Sequence, residues 1–233
     1  MIRTSLLALL LAGSATAALA QTDPHAGHAM PAPPPQTADP HAGHVMPGQQ
    51  PHDMASMGGM QAHPASERRN PLVDMQTMMP SARLDDPGIG LRGNGRRVLT
   101  YADLKSTFDD PDGRDPGRTV ELHLTGHMER FAWSFDGIKF ADAKPLKLTY
   151  GERLRIVLVN DTMMTHPIHL HGMWSDLEDA DGAFQVRKHT IDMPPGTRRS
   201  YRVTADALGR WAYHCHLLYH METGMFREVR VDR

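Results

Sequence analysis

The chain contains a single cysteine, Cys215, and the residues around it are of metal-ligand types. It lies in the run HCHLLYHMETGM, which also holds His220 and Met225. A second histidine-rich run, HPIHLHG, begins upstream at His166. One thiolate, two imidazoles and a thioether make up the ligand set of a type 1 copper centre, in which the thioether binds weakly along the axis. The residue types and their spacing therefore predict one copper ion held by His166, Cys215, His220 and Met225.

Two other interpretations of Cys215 compete with a copper site. The first is a buried, inert core thiol. The second is a zinc site, because one cysteine and several histidines can hold Zn²⁺. A methionine at a fixed offset is a ligand that copper uses and that structural zinc sites rarely need. The presence of Met225 favours copper over both alternatives, and this ligand set suits both Cu(I) and Cu(II).

The elements that must position these ligands have the pattern of short β-strands. Beyond about residue 91, short apolar runs bounded by Gly, Pro and Asp recur. The runs are 98–104, 119–124, 130–135, 146–150, 154–160, 198–204, 209–214 and 226–231. Short strands separated by turn signals predict an antiparallel sandwich or barrel, and roughly 140 residues suit one such domain. Cys215 ends one predicted strand and Phe226 begins the next, so one loop supplies three ligands.

The N-terminus has the features of a secretory signal. Arg3 precedes an apolar stretch, Leu6 to Ala12, which is too short to span a bilayer, and Ala18-Leu19-Ala20 resembles a cleavage site. We expect a signal peptide over residues 1–20 and export to the periplasm. Without Arg3, 24 basic residues face 27 acidic ones, a balance that argues against a nucleic-acid partner. No second hydrophobic run follows, so no membrane insertion is expected after cleavage.

Residues 21–90 form a segment of different composition. It is poor in Ile, Val, Leu and aromatic residues, and Asp23–Pro31 recurs almost unchanged as Asp39–Pro47. Such a segment buries too little apolar area to offset its ordering entropy, so we expect a disordered arm. Imidazoles bind Cu(II) and thioethers bind Cu(I), so the arm could collect additional copper, although a solvated tether without defined metal sites is the alternative. Its candidate ligands are His25, His28, His41, His44, His52, Met54, Met57, Met60 and His63.

The motifs HPIHLHGMW and HCHLLYHMETGM resemble the C-terminal cupredoxin domain of multicopper oxidases. Four further segments are similar to the copper-resistance oxidases of proteobacterial periplasms, and the resemblance covers roughly residues 119–232. These segments are Trp133–Gly137, Tyr150–Arg153, Val159–Met164 and Gly209–Tyr213. The resemblance implies an all-β chain with a single cupredoxin-like Greek-key β-sandwich.

The resemblance also implies a role for four further histidines. Multicopper oxidases reduce O₂ at a trinuclear cluster, and the half supplied by their last domain matches His169, His171, His214 and His216. No other His-x-His pair occurs in this sequence, so a complete trinuclear centre is not expected within it. The four histidines could form a second copper site, could support the first one through hydrogen bonds, or could have no role.

The whole layout resembles single-domain periplasmic copper-resistance cupredoxins (CopI-type), with a signal at 1–20, an arm at 21–90 and a cupredoxin domain at 91–233. We expect copper ions, and other periplasmic copper-handling proteins, as partners. The leading hypothesis is copper detoxification with cuprous-oxidase character. The alternatives are a copper chaperone or sponge, an electron-transfer cupredoxin, and a multicopper-type oxidase completed by oligomerisation.

Several residues near these motifs carry weaker signals. Trp133, Trp174 and Trp211 are expected to be core aromatic residues. His123 and His189 show no clear pattern, so a polar role at a strand end and an ordinary surface or core role, respectively, are the default interpretations. The methionines next to the ligands could line a Cu(I) entry path, but core packing is the commoner use of methionine.

Overall fold

The computed structural model describes residues 60–233, which contain eleven β-strands, one short α-helix and four 3-10 helices. The first strands are β1 (Arg118–His127), β2 (Ala132–Phe135), β3 (Leu146–Thr149), β4 (Arg153–Asn160), β5 (His166–Leu170) and β6 (Ser175–Glu178). They are followed by β7 (Phe184–Lys188), β8 (Thr190–Met193), β9 (Arg198–Thr204), β10 (Gly209–Cys215), helix α1 (Leu218–Glu222) and β11 (Phe226–Asp232). The 3-10 helices are Ala65–Glu67, Tyr101–Asp103, Met128–Arg130 and Phe140–Asp142. The predicted signal peptide and residues 21–59 of the predicted arm lie outside the described residues.

The strands form two sheets, as an all-β sandwich requires. One sheet has the order β2-β1-β4-β9-β6-β7 and the other the order β3-β11-β10-β5-β8. Most neighbours are antiparallel, but β1 pairs with β4 and β3 pairs with β11 in parallel. The predicted antiparallel pattern therefore holds except at these two pairs. The reason is topological: the chain passes through the second sheet between β1 and β4, and such a crossover is what parallel neighbours need.

The apolar runs predicted most of these strands. Residues 198–204 and 226–231 match β9 and β11, where buried and more exposed side chains alternate strictly. The run 98–104 was predicted as a strand and instead contains a 3-10 turn, whose capping box pairs Thr100 with Asp103. Strands β5 to β8 were missed, because β5 carries histidines where a strand pattern has apolar residues and β6 is buried despite its acidic side chains.

The core lies between the two sheets and includes side chains of both. Ile156 and Leu158 of β4 and Tyr201 of β9 face Tyr213 of β10 across the sandwich as members of one buried cluster. The Tyr201 and Tyr213 hydroxyl oxygens are 2.5 Å apart, so a hydrogen bond joins the sheets inside the core. Burial raises the pKa of both phenols well above the ordinary value, so both stay neutral, and one hydroxyl donates to the other. Cys215 and Met225, two of the predicted copper ligands, belong to the same cluster.

The described chain reaches the sandwich well before the domain boundary that was predicted at residue 91. Glu67 and Leu84 are buried, and Asn70 donates a hydrogen bond from its side chain to the Gly137 carbonyl. Ser81 forms a parallel bridge with Thr197 at the start of β9. Polar contacts rather than apolar area attach this segment, which is why composition did not reveal it. Among residues 60–233, no helix combines the length and apolar character needed to cross a bilayer.

Candidate metal centre

Cys215 is the last residue of β10, and the backbone on both sides of it is fixed. Its amide donates a hydrogen bond to the Met225 carbonyl at 3.2 Å, and β10 pairs with β5 so that Cys215 lies opposite Ile168. The side chain is fully buried. Side chains alternate along a strand, so an inward Cys215 directs His214 and His216 to the opposite face.

Three of the four predicted copper ligands converge in the structure. Cys215 Sγ lies 3.7 Å from His166 Nδ1 and 3.8 Å from His220 Nδ1, and the two Nδ1 atoms are 3.0 Å apart. All three side chains are buried. Metal–ligand bonds of about 2.0–2.3 Å in a trigonal plane separate the ligand atoms by about 3.5 Å. The triangle of donor atoms therefore has the size that a metal ion at its centre requires.

The hydrogen bonds around His166 leave the correct nitrogen free to bind a metal. The Thr162 hydroxyl donates to the side-chain oxygen of Asn160 or to the Met164 carbonyl, so it accepts from His166 Nε2–H at 2.7 Å. The lone pair of His166 is then on Nδ1, which faces Cys215. Burial lowers the pKa of His166 to about 3, so the ring stays neutral. A neutral, oriented imidazole is the form that binds copper.

His220 and Met225 are held by the loop between β10 and β11. His220 belongs to helix α1 and its ring stacks on Trp133, with centroids 4.4 Å apart. Burial lowers the pKa of His220 as well. The Met225 amide donates to the His220 carbonyl at 2.9 Å, and the methionine is fully buried. Gly224, just before it, adopts φ +133°, a backbone conformation that L side chains rarely take.

The donor set fits copper in its chemistry as well as in its geometry. Burial raises the pKa of the Cys215 thiol to about 11, so the thiol keeps its proton until a cation replaces it. A soft thiolate, two neutral imidazoles and a buried thioether are the combination that selects copper. The predicted residues His166, Cys215, His220 and Met225 would hold the ion, and Trp133 and Thr162 orient the two imidazoles.

A second group of imidazoles covers the opposite face of β5 and β10. His214 is paired directly with His169 in the sheet, and His171 Nε2 lies 3.0 Å from His214 Nε2. His169 and His214 each donate from Nδ1–H to a backbone carbonyl, at 2.7 and 2.9 Å, so in the neutral rings Nε2 carries the lone pair. Burial lowers the pKa of His169 to about 4, so that ring is neutral. The structure thus brings together the four histidines that the His-x-His motifs predicted.

His189 joins this second group, contrary to the ordinary role expected from the sequence. Its ring stacks on His169 with centroids 3.8 Å apart. Ring nitrogens of His169, His189 and His216 all lie within 4.8 Å of one another. His189 directly precedes β8, which pairs with β5, so a sheet contact and no sequence motif brings it there.

The remaining predictions have mixed outcomes. Of the nine candidate arm ligands, only Met60 and His63 belong to the described residues. Met60 is exposed, whereas His63 lies among Glu67, His123 and Asp161. His123 is fully buried there, so it is not a plain polar residue at a strand end. Trp174 was expected in the core and is 54% exposed.

The comparisons with known proteins support copper as the cofactor of this chain. The family model for multicopper oxidases matches residues 113–233. The chain is 84% identical over 173 residues to "Copper resistance protein A" of Pseudomonas syringae pv. tomato, covering 74% of this chain and 28% of that protein. The Escherichia coli protein of the same description is 81% identical over 179 residues, covering 77% and 30%.

A more distant relative is "Multicopper oxidase MmcO" of Mycobacterium tuberculosis, which is 35% identical over 111 residues, covering 48% of this chain and 22% of that protein. The chain spans less than a third of the length of these curated relatives. The family model covers more than half of this chain and includes all the residues of the two histidine-rich motifs. The chain therefore belongs to the multicopper oxidase family, and copper is its cofactor.

Proposed function

We propose that this chain is a periplasmic copper-resistance cupredoxin that binds copper at a type 1 site and oxidises or sequesters Cu(I) collected by its His/Met-rich arm. The observation that carries the proposal is the buried triangle of Cys215 Sγ, His166 Nδ1 and His220 Nδ1. Copper bound by such ligands cycles between Cu(I) and Cu(II). The relatives described as copper resistance proteins support copper itself as the substrate.

The residues of the chain have separate tasks in this proposal. Cys215 exchanges its thiol proton for the metal, and the buried His166 and His220 keep water away from the site. The imidazoles and thioethers of the arm would bring Cu(I) near it, since thioethers prefer Cu(I). A copper ion held by Cys215, His166 and His220 would supply one-electron redox chemistry: as Cu(II) it would take one electron from a substrate Cu(I), and the imidazoles of the arm would retain the resulting Cu(II). The signal peptide expected at residues 1–20 supports the periplasm as the place of action.

Anaerobic optical titration tests the redox step. Adding one equivalent of Cu(I) to the Cu(II)-loaded mature protein is expected to bleach the thiolate-to-copper absorption. A variant with the arm residues Met54, Met57 and Met60 changed to Ala should bleach more slowly but to the same extent. Persistence of the band after Cu(I) addition contradicts the redox role. If Cys215→Ser still protects cells against copper, the protein acts as a sponge instead.

A second candidate function rests on the imidazoles outside the copper triangle. Four histidines and His189 share one face, and His171 and His216 are exposed, so another protein surface carrying histidines could complete an oxygen-reducing centre there. Copper analysis separates the two functions. A single copper in a protein whose arm histidines and methionines are replaced supports the cupredoxin role. Three or more coppers together with O₂ consumption would support the completed oxidase.

A further inference from the structure

A third cluster of potential metal ligands, distinct from both histidine groups, lies between the N-terminal segment and the six-stranded sheet. Its members are His63, Glu67, His123 and Asp161. His63 and Glu67 come from the segment that precedes β1, His123 is part of β1, and Asp161 directly follows β4. Three of the four side chains are buried, and the side chain of His63 is 12% exposed. None of them belongs to the predicted type 1 ligand set.

The potential donor atoms converge on one point. His63 Nδ1 lies 3.2 Å from Glu67 Oε2 and 3.4 Å from Asp161 Oδ2. His123 Nδ1 lies 2.7 Å from Asp161 Oδ2 and 3.7 Å from Glu67 Oε1. Four ligands at about 2.0–2.2 Å from a tetrahedral ion are about 3.4 Å apart. The observed separations scatter around that value.

The outer hydrogen bonds of both histidines direct a lone pair into the cluster. His63 Nε2 lies 3.0 Å from the Thr77 carbonyl, which can only accept, so Nε2 carries the proton. His123 Nε2 lies 3.3 Å from the Glu121 carboxylate, which also accepts. In the neutral form both Nδ1 atoms therefore present lone pairs to two carboxylates. Histidines that bind metals typically donate their other N–H to a carbonyl or carboxylate in this way.

Hydrogen bonds from outside the cluster also orient the two carboxylates, Glu67 and Asp161. Asp161 Oδ1 accepts from the Thr77 amide at 2.7 Å, and Glu67 Oε2 accepts from the Gln76 side chain at 2.7 Å. Glu67 is 3% exposed, and its Oε1 is buried without a hydrogen-bond partner while facing His123. A buried carboxylate oxygen without a hydrogen-bond donor costs free energy. The imidazole lone pairs of His63 and His123 that face two carboxylates are also unfavourable, because acceptors then face acceptors. A dication at the centre would resolve both conflicts.

We propose that His63, Glu67, His123 and Asp161 form a structural site for a divalent metal ion of the zinc class. Two imidazole nitrogens and two carboxylate oxygens are ligands that Zn²⁺ accepts in tetrahedral sites, and the absence of sulfur separates this site from the type 1 centre. The bound ion fastens the segment around residues 63–67 to β1 and to the loop after β4. Binding releases the protons that otherwise neutralise the cluster.

Zinc retention by the full chain tests the proposal. Copper-loaded wild type is exposed to Zn²⁺ and then to a chelator that strips weak sites. We expect wild type to keep one more Zn²⁺ per chain than Glu67→Gln or Asp161→Asn, with affinity reduced at least about tenfold in the variants. Zinc-edge X-ray absorption of wild type should show only nitrogen and oxygen ligands. Glu129→Gln, which alters an exposed carboxylate just beyond β1, is the matched control and should retain zinc like wild type.

Thermal unfolding gives an independent readout. Zinc should raise the unfolding temperature of wild type and of Glu129→Gln but leave both ligand variants unchanged, because only a folded site binds the ion. If Glu67→Gln does not fold, His63→Gln alters the most exposed ligand and replaces it in the comparison. Equal zinc retention and equal zinc response in wild type and ligand variants would overturn the proposal. That result would leave the copper function untouched, because the Cys215 absorption reports it separately.

Discussion

At the scale of single residues, the candidate copper site depends on side chains that do not touch the metal. Thr162 illustrates this, since its hydroxyl accepts from His166 Nε2–H while donating to Asn160 or to the Met164 carbonyl. One hydroxyl group thus sets the tautomer of a ligand and the shape of the loop that carries it. Partners of this kind commonly contribute a factor of 10–100 to metal affinity.

We expect Thr162→Val to weaken copper binding by about 10–100-fold, because His166 loses the acceptor that fixes its orientation. Competition with a chelator of known affinity measures this, and the thiolate-to-copper absorption should shift at the same time. Thr165→Val provides the control, since Thr165 is exposed in the same loop. Equal copper affinities in the two variants would contradict the role assigned to Thr162.

Gly224 is required by space as well as by backbone conformation. A Cβ at this position would lie 2.7 Å from the Trp133 carbonyl oxygen, whereas Gly209 has a similar φ of +124° and nothing within 4 Å. Both Gly→Ala changes should cost the ~1–3 kcal/mol of a strained backbone. Only Gly224→Ala should also displace Met225 and alter the copper absorption. Denaturant unfolding and optical spectra of the two variants check this difference.

At the scale of elements, β9 and β10 join the two sheets through a single polar contact inside an apolar core. The Tyr201 and Tyr213 hydroxyls satisfy each other, and β10 ends two residues later at Cys215. Removing one hydroxyl leaves the other buried without its partner, which costs about 1–3 kcal/mol.

A double-mutant cycle on Tyr201 and Tyr213 should give a coupling energy of definite sign. Tyr213→Phe and Tyr201→Phe should each lower the free energy of unfolding, while the double variant should lose less than the sum of the two. Denaturant unfolding of the four proteins gives the coupling energy. Strict additivity would mean that the two hydroxyls do not depend on each other, contrary to their 2.5 Å separation.

At the scale of the whole molecule, the N-terminal segment contacts the sandwich through two buried titratable side chains, Glu67 and His123. Burial raises the pKa of Glu67. Burial alone would lower the pKa of His123, but its hydrogen bond to Asp161 and the nearby carboxylate charges raise it. In metal-free protein both groups bind protons more tightly when folded. Their contribution to stability is therefore lost as pH rises, for Glu67 from about 4.5 upward and for His123 from about 6.5 upward.

We expect the metal-free Glu67→Gln variant to gain stability relative to wild type as pH increases from 5 to 8, since the variant has no carboxylate to ionise in this buried place. Denaturant unfolding at several pH values measures the difference, and Glu129→Gln should follow wild type throughout. A difference that is independent of pH, or that shrinks as pH rises, would contradict the buried, proton-binding state of Glu67.

Local patterns in the sequence predicted the all-β fold and indicated a common site for three candidate ligands that the structure brings together, His166, Cys215 and His220. Cys215, His220 and Met225 fall within one loop, so their spacing alone indicates a common site. His189 and the group around Glu67 left no such signal, because strand pairing and the path of the N-terminal segment bring together residues that are far apart in sequence. The attachment of residues 60–90 to the sandwich was equally hidden, since hydrogen bonds such as Asn70 to Gly137 form it.

The burial of Cys215 also affects the chemical stability of the copper-free protein. A chain with one thiol, exported as proposed, has no internal partner for a disulfide, and oxidants attack the accessible thiolate form. This thiol is fully buried and keeps its proton because its pKa is about 11. The folded chain can therefore persist in an oxidising compartment with its key ligand chemically intact. Copper binding displaces the thiol proton. The burial that shapes the site therefore also protects the thiol from oxidation until copper binds.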